Sequence, residues 1–162
     1  MSPVTEGDLA LLLELQERVF AALDDWTLLR HNDAEMMDSC LRAPNVTFGA
    51  WADGRLAGFS VLYVPEDPAE DLACLLRGVE TTRPAANNKL CIVDPDYWGH
   101  GLQLRLGELV ADEARRRGLR LLCATASPRN SYSCRNLEAQ GYRLNRTLVK
   151  YGFERNLYVL TL

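Results

Sequence analysis

The sequence predicts an α+β domain built on a mixed, mostly antiparallel sheet, and three observations predict it. Residues 46–64 alternate in period two around Asp53-Gly54, the signature of an antiparallel hairpin with a type I′ turn. Residues 89–125 read strand, amphipathic helix, strand, which makes those two strands parallel with a right-handed crossover. The chain then closes on a second antiparallel pair around Tyr151-Gly152. Helices precede and separate these strands, so the sheet is expected to be flanked by helices as an α/β sandwich.

The 162 residues hold no repeat, no low-complexity tract and no linker-like break. One domain spanning 1–162 is expected, long enough to bury a core without disulfides. An apolar content of 48% excludes bulk disorder. No apolar run reaches the length of a membrane span. The opening Met1-Ser2-Pro3-Val4-Thr5-Glu6 has no basic region before an apolar stretch, so a secretory leader is not expected. Cysteines 40, 74, 91, 123 and 134 are odd in number and lack the short spacing of a zinc site. Reduced, buried thiols in a cytoplasmic protein, with no metal, are the expectation. A net charge of −4 argues against nucleic-acid binding and mildly favours a cationic small substrate.

The elements follow in order. Thr5 can cap a helix carrying Leu9, Leu12, Leu13, Leu15, Gln16 and Val19. Asn32 or Asp33 can cap a second helix through Met36, Met37, Cys40 and Leu41, ended by Pro44. After the hairpin, Pro65-Glu66-Asp67-Pro68 breaks the strand; 69–77 reads as a short helix and 78–88 as loop. Residues 89–93 form the next strand. Residues 99–117 form the strongest helix, with one apolar stripe of Leu102, Leu106, Leu109, Val110 and Ala114. Asp112–Arg116 and Glu113–Arg117 are i,i+4 pairs on its wet side, and Gly118 ends it. A buried strand follows at 119–125. A helix opened by Ser127-Pro128-Arg129-Asn130 runs to Gln140, where Gly141 stops it. Strands 142–150 and 154–162 complete the fold.

The chemistry concentrates in Val93-Asp94-Pro95-Asp96-Tyr97-Trp98-Gly99-His100-Gly101-Leu102-Gln103. A strand enters a Pro-aromatic-Gly-x-Gly turn and a helix starts at once, on glycines that offer no side-chain cap. The first backbone N–H groups of that helix stay free and carry partial positive charge. That is a site for the phosphates of a nucleotide or coenzyme; the bland alternative is a plain turn. His100 reads as a phosphate contact, a base, or an exposed residue at the helix start. His31 lies in a polar loop and gains no role.

Three segments together resemble the GNAT superfamily of acyl-CoA N-acyltransferases. The hairpin 48–59 is similar to the family's central strands, 93–103 to its acetyl-CoA motif, and Asn130-Ser131-Tyr132-Ser133 with Gln140-Gly141-Tyr142 to the helix lining the pantetheine arm. The resemblance covers 46–162 well and the N-terminal helices loosely. It implies a GNAT-like sheet with one splayed parallel strand pair and acetyl-CoA as cofactor. Pyrophosphate would sit on the backbone of Trp98, Gly99, His100, Gly101, Leu102 and Gln103. Pantetheine amides would pair with the backbone of Cys91, Ile92 and Val93, while Asn130 would bond the pantetheine or the start of its helix and Ser133 would face the channel. A homodimer is also implied.

This chain departs from the family pattern at Trp98, Gln103 and Leu137. Leu137 stands where many members carry a tyrosine that protonates the leaving thiolate. A base for the acceptor amine is expected from Glu80 or Asp94, or from a water relay. Asp94 could instead cap the turn, and Glu80 could be merely solvated. Tyr132 could replace the missing tyrosine or be a surface aromatic. Cys134 reads as a ping-pong thiol or a small core residue, and Trp26 and Trp51 as core or cleft-wall aromatics. The implied activity is acetyl transfer to a primary amine of a small molecule or peptide, in a ternary complex. The alternative is a CoA-binding sensor without transferase activity. Proline at position 101 is expected to remove cofactor binding and spare the fold.

Overall fold

The computed structural model describes residues 1–80 and 84–162; residues 81–83 of the expected 78–88 loop lie outside the described residues. Among the described residues seven strands form one sheet: β1 (Ser2–Pro3), β2 (Val46–Ala52), β3 (Arg55–Tyr63), β4 (Ala85–Val93), β5 (Leu121–Ala126), β6 (Arg143–Lys150) and β7 (Phe153–Thr161). Their spatial order is β1-β2-β3-β4-β5-β7-β6. Neighbours run antiparallel except β4 and β5, the two strands joined by the crossover helix. The fold class matches the sequence reading.

Four helices cover the sheet: α1 (Leu9–Ala22), α2 (Ala34–Cys40), α3 (Leu102–Arg116) and α4 (Ser131–Ala139). On one face Leu12, Leu15 and Val19 of α1 and Met37 of α2 pack on Phe59, Val61 and Ile92. On the other, Val110 and Ala114 of α3 and Leu137 of α4 pack on Leu62, Leu122 and Tyr158. The central strand β3 is buried from Leu56 to Tyr63, as a strand covered on both faces must be. Gly58 lets α3 approach: a Cβ there would stand 3.0 Å from Ile92 O and 3.4 Å from Leu106 Cδ1. Among the described residues no helix is long and apolar enough to cross a membrane.

Local signals placed most boundaries and missed some. Asp53 (φ 50°) and Gly54 (φ 78°) are both left-handed, as a type I′ turn requires. Of the two candidate caps, Asp33 takes α2, accepting the Met36 N–H at 2.8 Å. Asn32 is buried instead, exchanging two 2.9 Å bonds with the Gln16 side chain. Residues 69–77 form two 3-10 turns rather than a helix, because Asp67 and Asp71 each cap a new start. Strand β4 begins at Ala85, not Lys89. Asn87 and Asn88 hid it, since polar side chains in a covered strand look like loop. Both bond to partners distant in sequence: Asn87 Nδ2 donates to Glu70 O at 2.6 Å, and Asn88 Oδ1 accepts from Ser60 Oγ at 2.9 Å. All five cysteines are free, and Cys74 is exposed rather than buried.

On α3, Asp112 pairs with Arg115 rather than Arg116, while Glu113 takes both Arg116 (2.7 Å) and Arg117 (2.6 Å). Arg116 beside it holds the Glu113 carboxyl down, from 4.5 to about 2; burial opposes this and Arg117 adds to it. A depressed carboxyl stabilises the fold above its unfolded value and loses that effect as pH falls toward the folded one. Glu113→Gln is therefore expected to cost about 1 kcal/mol at neutral pH, solvent screening of the arginines included. The gap between variant and parent should close as pH falls from 4.5 toward 2, measured by urea unfolding.

Candidate active site

Strands β4 and β5 pair only at Ala85–Leu121, Ala86–Leu122 and Asn87–Cys123. Beyond that point β4 stays with β3 and β5 stays with β7, so the two part. The cause lies in β4. Leu90 has a left-handed φ of 55°, and two β4 residues, Leu90 and Cys91, stand opposite the single Ser60 of β3. Such a bulge bends its strand away from the sheet. No glycine or proline marks it in the sequence. A bulky side chain in this conformation is a strained feature of the kind found at functional sites.

The opening holds two adjoining cavities that share a wall and form its two ends. Leu28, Cys91, Ile92, Gln103, Asn130 and Ser133 line both. At the first end stand Val93, Trp98, Gly99, Leu102 and Tyr132. Here α3 begins on Gly101 (φ 73°, ψ 12°) with no side-chain cap, and Gly99 is left-handed too at φ 79°. A Cβ at either glycine would meet nothing within 4 Å, so the turn opens to free space. The first N–H groups of α3 face no capping acceptor, which is the anion-binding arrangement inferred from sequence. Proline at 101 is a poor probe of it, since its φ near −65° cannot match 73° and the turn itself would break.

The β4 edge can pair with an extended ligand. Asp94 N–H donates to Ala57 O on β3, so by alternation the Val93 N–H and C=O point the other way, into the splay. Trp98 Nε1 already donates to Val93 O at 2.7 Å, a contact the sequence did not signal. Gln103 braces the two helices, its Oε1 accepting from Asn136 Nδ2 at 3.1 Å. Burial pushes the Cys91 thiol up to about 12, so it is neutral.

The residues proposed for catalysis are scattered. Asp94 is 1% exposed and its oxygens are engaged: Arg55 at 2.7 Å, Arg18 at 3.3 Å and the Asp96 N–H at 3.0 Å. It caps the turn and anchors it to β3 and α1. Glu80 is exposed on the loop before β4. Tyr132 is 45% exposed on the wall of the first end. Asn130 Oδ1 accepts the Ser133 N–H at 3.1 Å, so its side chain caps α4. Exposed His100 projects from the turn, and exposed His31 pairs with Glu17 at 2.6 Å. Leu137, 6% exposed, makes an apolar wall where the family tyrosine was sought.

The second end carries Tyr151 of the last hairpin and four residues that sequence reasoning passed over: Arg30, Asn87, Lys89 and Arg155. Lys89 inside a covered strand was the one readable signal. Arg30 Nη1 donates to both Glu70 oxygens (3.1 and 3.0 Å), and Lys89 Nζ lies 2.5 Å from Oε2. Burial raises its carboxyl, but the hydrogen bonds from Arg30 and Lys89 outweigh that and hold it below the usual range. The Arg30 guanidinium lies 4.1 Å over the Tyr151 ring. Burial, ahead of nearby Glu70, raises the Tyr151 phenol to about 12. Trp26 is 63% exposed, so it belongs neither to the core nor to the cleft wall; it stacks edge-on with Phe153 at 5.4 Å.

Residues 10–142 match the sequence profile of the Acetyltransferase (GNAT) family. The chain belongs to that family. Solved structures of GNAT acetyltransferases share its fold at low identity. The Salmonella typhimurium yncA protein, solved with its cofactor acetyl-CoA, is 20% identical with a TM-score of 0.71, over 98% of this chain and 91% of that one. The ribosomal-protein-alanine N-acetyltransferase of Brucella melitensis is 23% identical with a TM-score of 0.72, over 99% and 98%. The Escherichia coli ribosomal-protein-S18-alanine N-acetyltransferase is 20% identical with a TM-score of 0.71, over 99% and 91%. No curated protein sequence matches the chain significantly. For this GNAT member the uncapped α3 turn and the splayed β4 edge both lie within the matched residues.

Proposed function

We propose that this GNAT member is an acetyl-CoA-dependent N-acetyltransferase acting on a primary amine of a small molecule or peptide. The observation that carries the reading is a pair of adjoining cavities, with an uncapped helix start at one end and a polar chamber at the other. The residues fit the cofactor. Backbone N–H groups at 99–103 would hold the pyrophosphate, and the Cys91–Val93 edge would pair with the pantetheine amides. When bound, acetyl-CoA supplies an activated acetyl thioester. The chain's own part is to orient the amine against that carbon and to exclude bulk water. The Val93 N–H, pointing into the splay, is a donor for the developing oxyanion. Asp94 has no oxygen free to take the amine proton, which supports transfer to water standing in the cleft. Leu137 offers no acid, so the thiol takes its proton from solvent. Free thiols throughout support a cytoplasmic setting.

Thiol release from acetyl-CoA across a panel of amines tests the proposal. Amine-dependent release is the expected outcome. CoA binding without release for any amine would return the sensor reading, and no CoA binding would end both. A Glu80→Gln variant should keep its rate within about threefold; a loss of about 100-fold would assign the base to the loop before β4.

A further inference from the structure

We infer that the acceptor is a small amine that also carries a carboxylate, of the amino-acid type, bound at the second end of the cleft. This rests on the transferase reading above. Three cations, Arg30, Lys89 and Arg155, line that end, and they do not line the cofactor end. Among the described residues one carboxylate, Glu70, answers Arg30 and Lys89. Arg155 has none: among the described residues no carboxylate lies within ion-pair distance of it.

Arg155 is only 3% exposed. It is fixed by backbone carbonyls instead, donating to Thr27 O at 2.8 Å and to Glu154 O at 3.3 Å. Nearby Asp25 is already taken by Arg129 at 2.9 Å. A guanidinium cannot shed its charge in a protein, and burying it unpaired is costly. Neutral carbonyls and the Phe153 ring, 5.6 Å from the guanidinium carbon, orient the group but supply no counter-charge. Such a cation in a cavity wall is a seat for an anion, and a rigid fork of donors matches a carboxylate.

Asn87 holds the wall beside this seat. It is 2% exposed on the same wall. Its Nδ2 is committed to Glu70 O, and this fixes which way the amide faces. Its Oδ1 is buried without a hydrogen-bond partner. That oxygen is sealed from the cavity and takes no ligand, whereas the unpaired guanidinium suits a carboxylate. The amine is the group the transferase reading already requires, so one short ligand carries both. Leu28, Leu29 and Leu72 complete the wall and leave room for an apolar side chain. The mild negative charge of the whole chain favoured a cationic substrate; the local charge of this chamber has the opposite sign and decides the matter.

The test is a panel of standard amino acids, each as free acid and as its amide, with diamines as controls. Thiol release is read at saturating acetyl-CoA, and calorimetry of the CoA-loaded protein with the same ligands gives binding alone. At least one acid should exceed its amide by about tenfold or more in kcat/KM and in affinity. Arg155→Gln should reduce that ratio to within about threefold, and Arg155→Lys should restore part of it. Arg30→Gln, at a more exposed position, provides a second variant should Arg155→Gln unfold. A merely structural loss would lower acid and amide alike and leave the ratio standing, which would overturn the assignment. So would amides or diamines being preferred, or no acid being accepted or bound. In each of those cases intact CoA binding would leave the transferase reading untouched, whereas failure to bind CoA would sink that reading itself.

Discussion

Gly101→Val is expected to weaken CoA binding by about tenfold or more while the fold persists. The backbone at 101 is left-handed, and a β-branched residue there costs about 1–2 kcal/mol. The site has two ways to absorb that cost. The turn can keep its conformation, and the isopropyl group then stands in the open space above the first N–H groups of α3, where a Cβ meets nothing within 4 Å. Or the turn can relax to a negative φ, and the N–H groups then no longer converge. Both outcomes remove the anion site. Neither reaches the core, because Leu106, Val110 and Ala114 bury α3 well beyond the turn. Gly101→Asn is the control, since asparagine tolerates this backbone region; it should keep more affinity than valine does. Calorimetric titration with CoA beside a melting curve reads both quantities. A folded Gly101→Val protein binding CoA within about twofold of the parent would remove the pyrophosphate from this turn, since one good charge-assisted contact alone is worth more than that.

The contrast between this turn and the second end of the cleft explains what the sequence made legible. Gly99 and Gly101 announce themselves because backbone conformation selects residue type there; a left-handed φ costs glycine little and other residues much. The Asp53-Gly54 hairpin and the α3 stripe were legible for similarly local reasons. Leu90 carries the same left-handed conformation without any such signal, because the strain is held by tertiary packing rather than relieved by composition. The bulge that opens the cleft was therefore invisible, although its consequence, the splay, was implied by family resemblance. The second end of the cleft was hidden for another reason. Arg30, Glu70, Lys89, Tyr151 and Arg155 come from four separate parts of the chain. Charged residues read singly look like solvated surface. Only the fold shows Arg155 buried and Lys89 sealed against Glu70. Asp94 marks the same limit from the other side. It sat in the strongest motif, beside the cofactor strand, and looked available as a base until Arg55 and Arg18 were found on it.

Asp94→Asn should accordingly be a stability mutant rather than a catalytic one. Asparagine keeps the size and can still accept the Asp96 N–H. It removes the charge shared by two guanidiniums and turns either a neutral oxygen or an amide N–H toward Arg55. Removing one member of a buried ion pair typically costs about 3–5 kcal/mol. Here the survivors are 44% and 33% exposed and can rehydrate, so about 2–3 kcal/mol is the better figure. In a chain of this size that lowers Tm by about 5–10 °C. The two roles separate cleanly below the melting range. A general base replaced by an amide loses about 100- to 10,000-fold in kcat and flattens the pH profile. A capping residue that leaves the turn folded changes neither by much. Arg55→Ala sharpens the comparison, since it leaves the Asp94 carboxylate in place while removing its shortest ion pair. If Asp94 matters through the turn, both variants should melt early and share the parent's pH–rate curve. If it matters as a base, Arg55→Ala should shift that curve, and Asp94→Asn should abolish its acidic limb altogether.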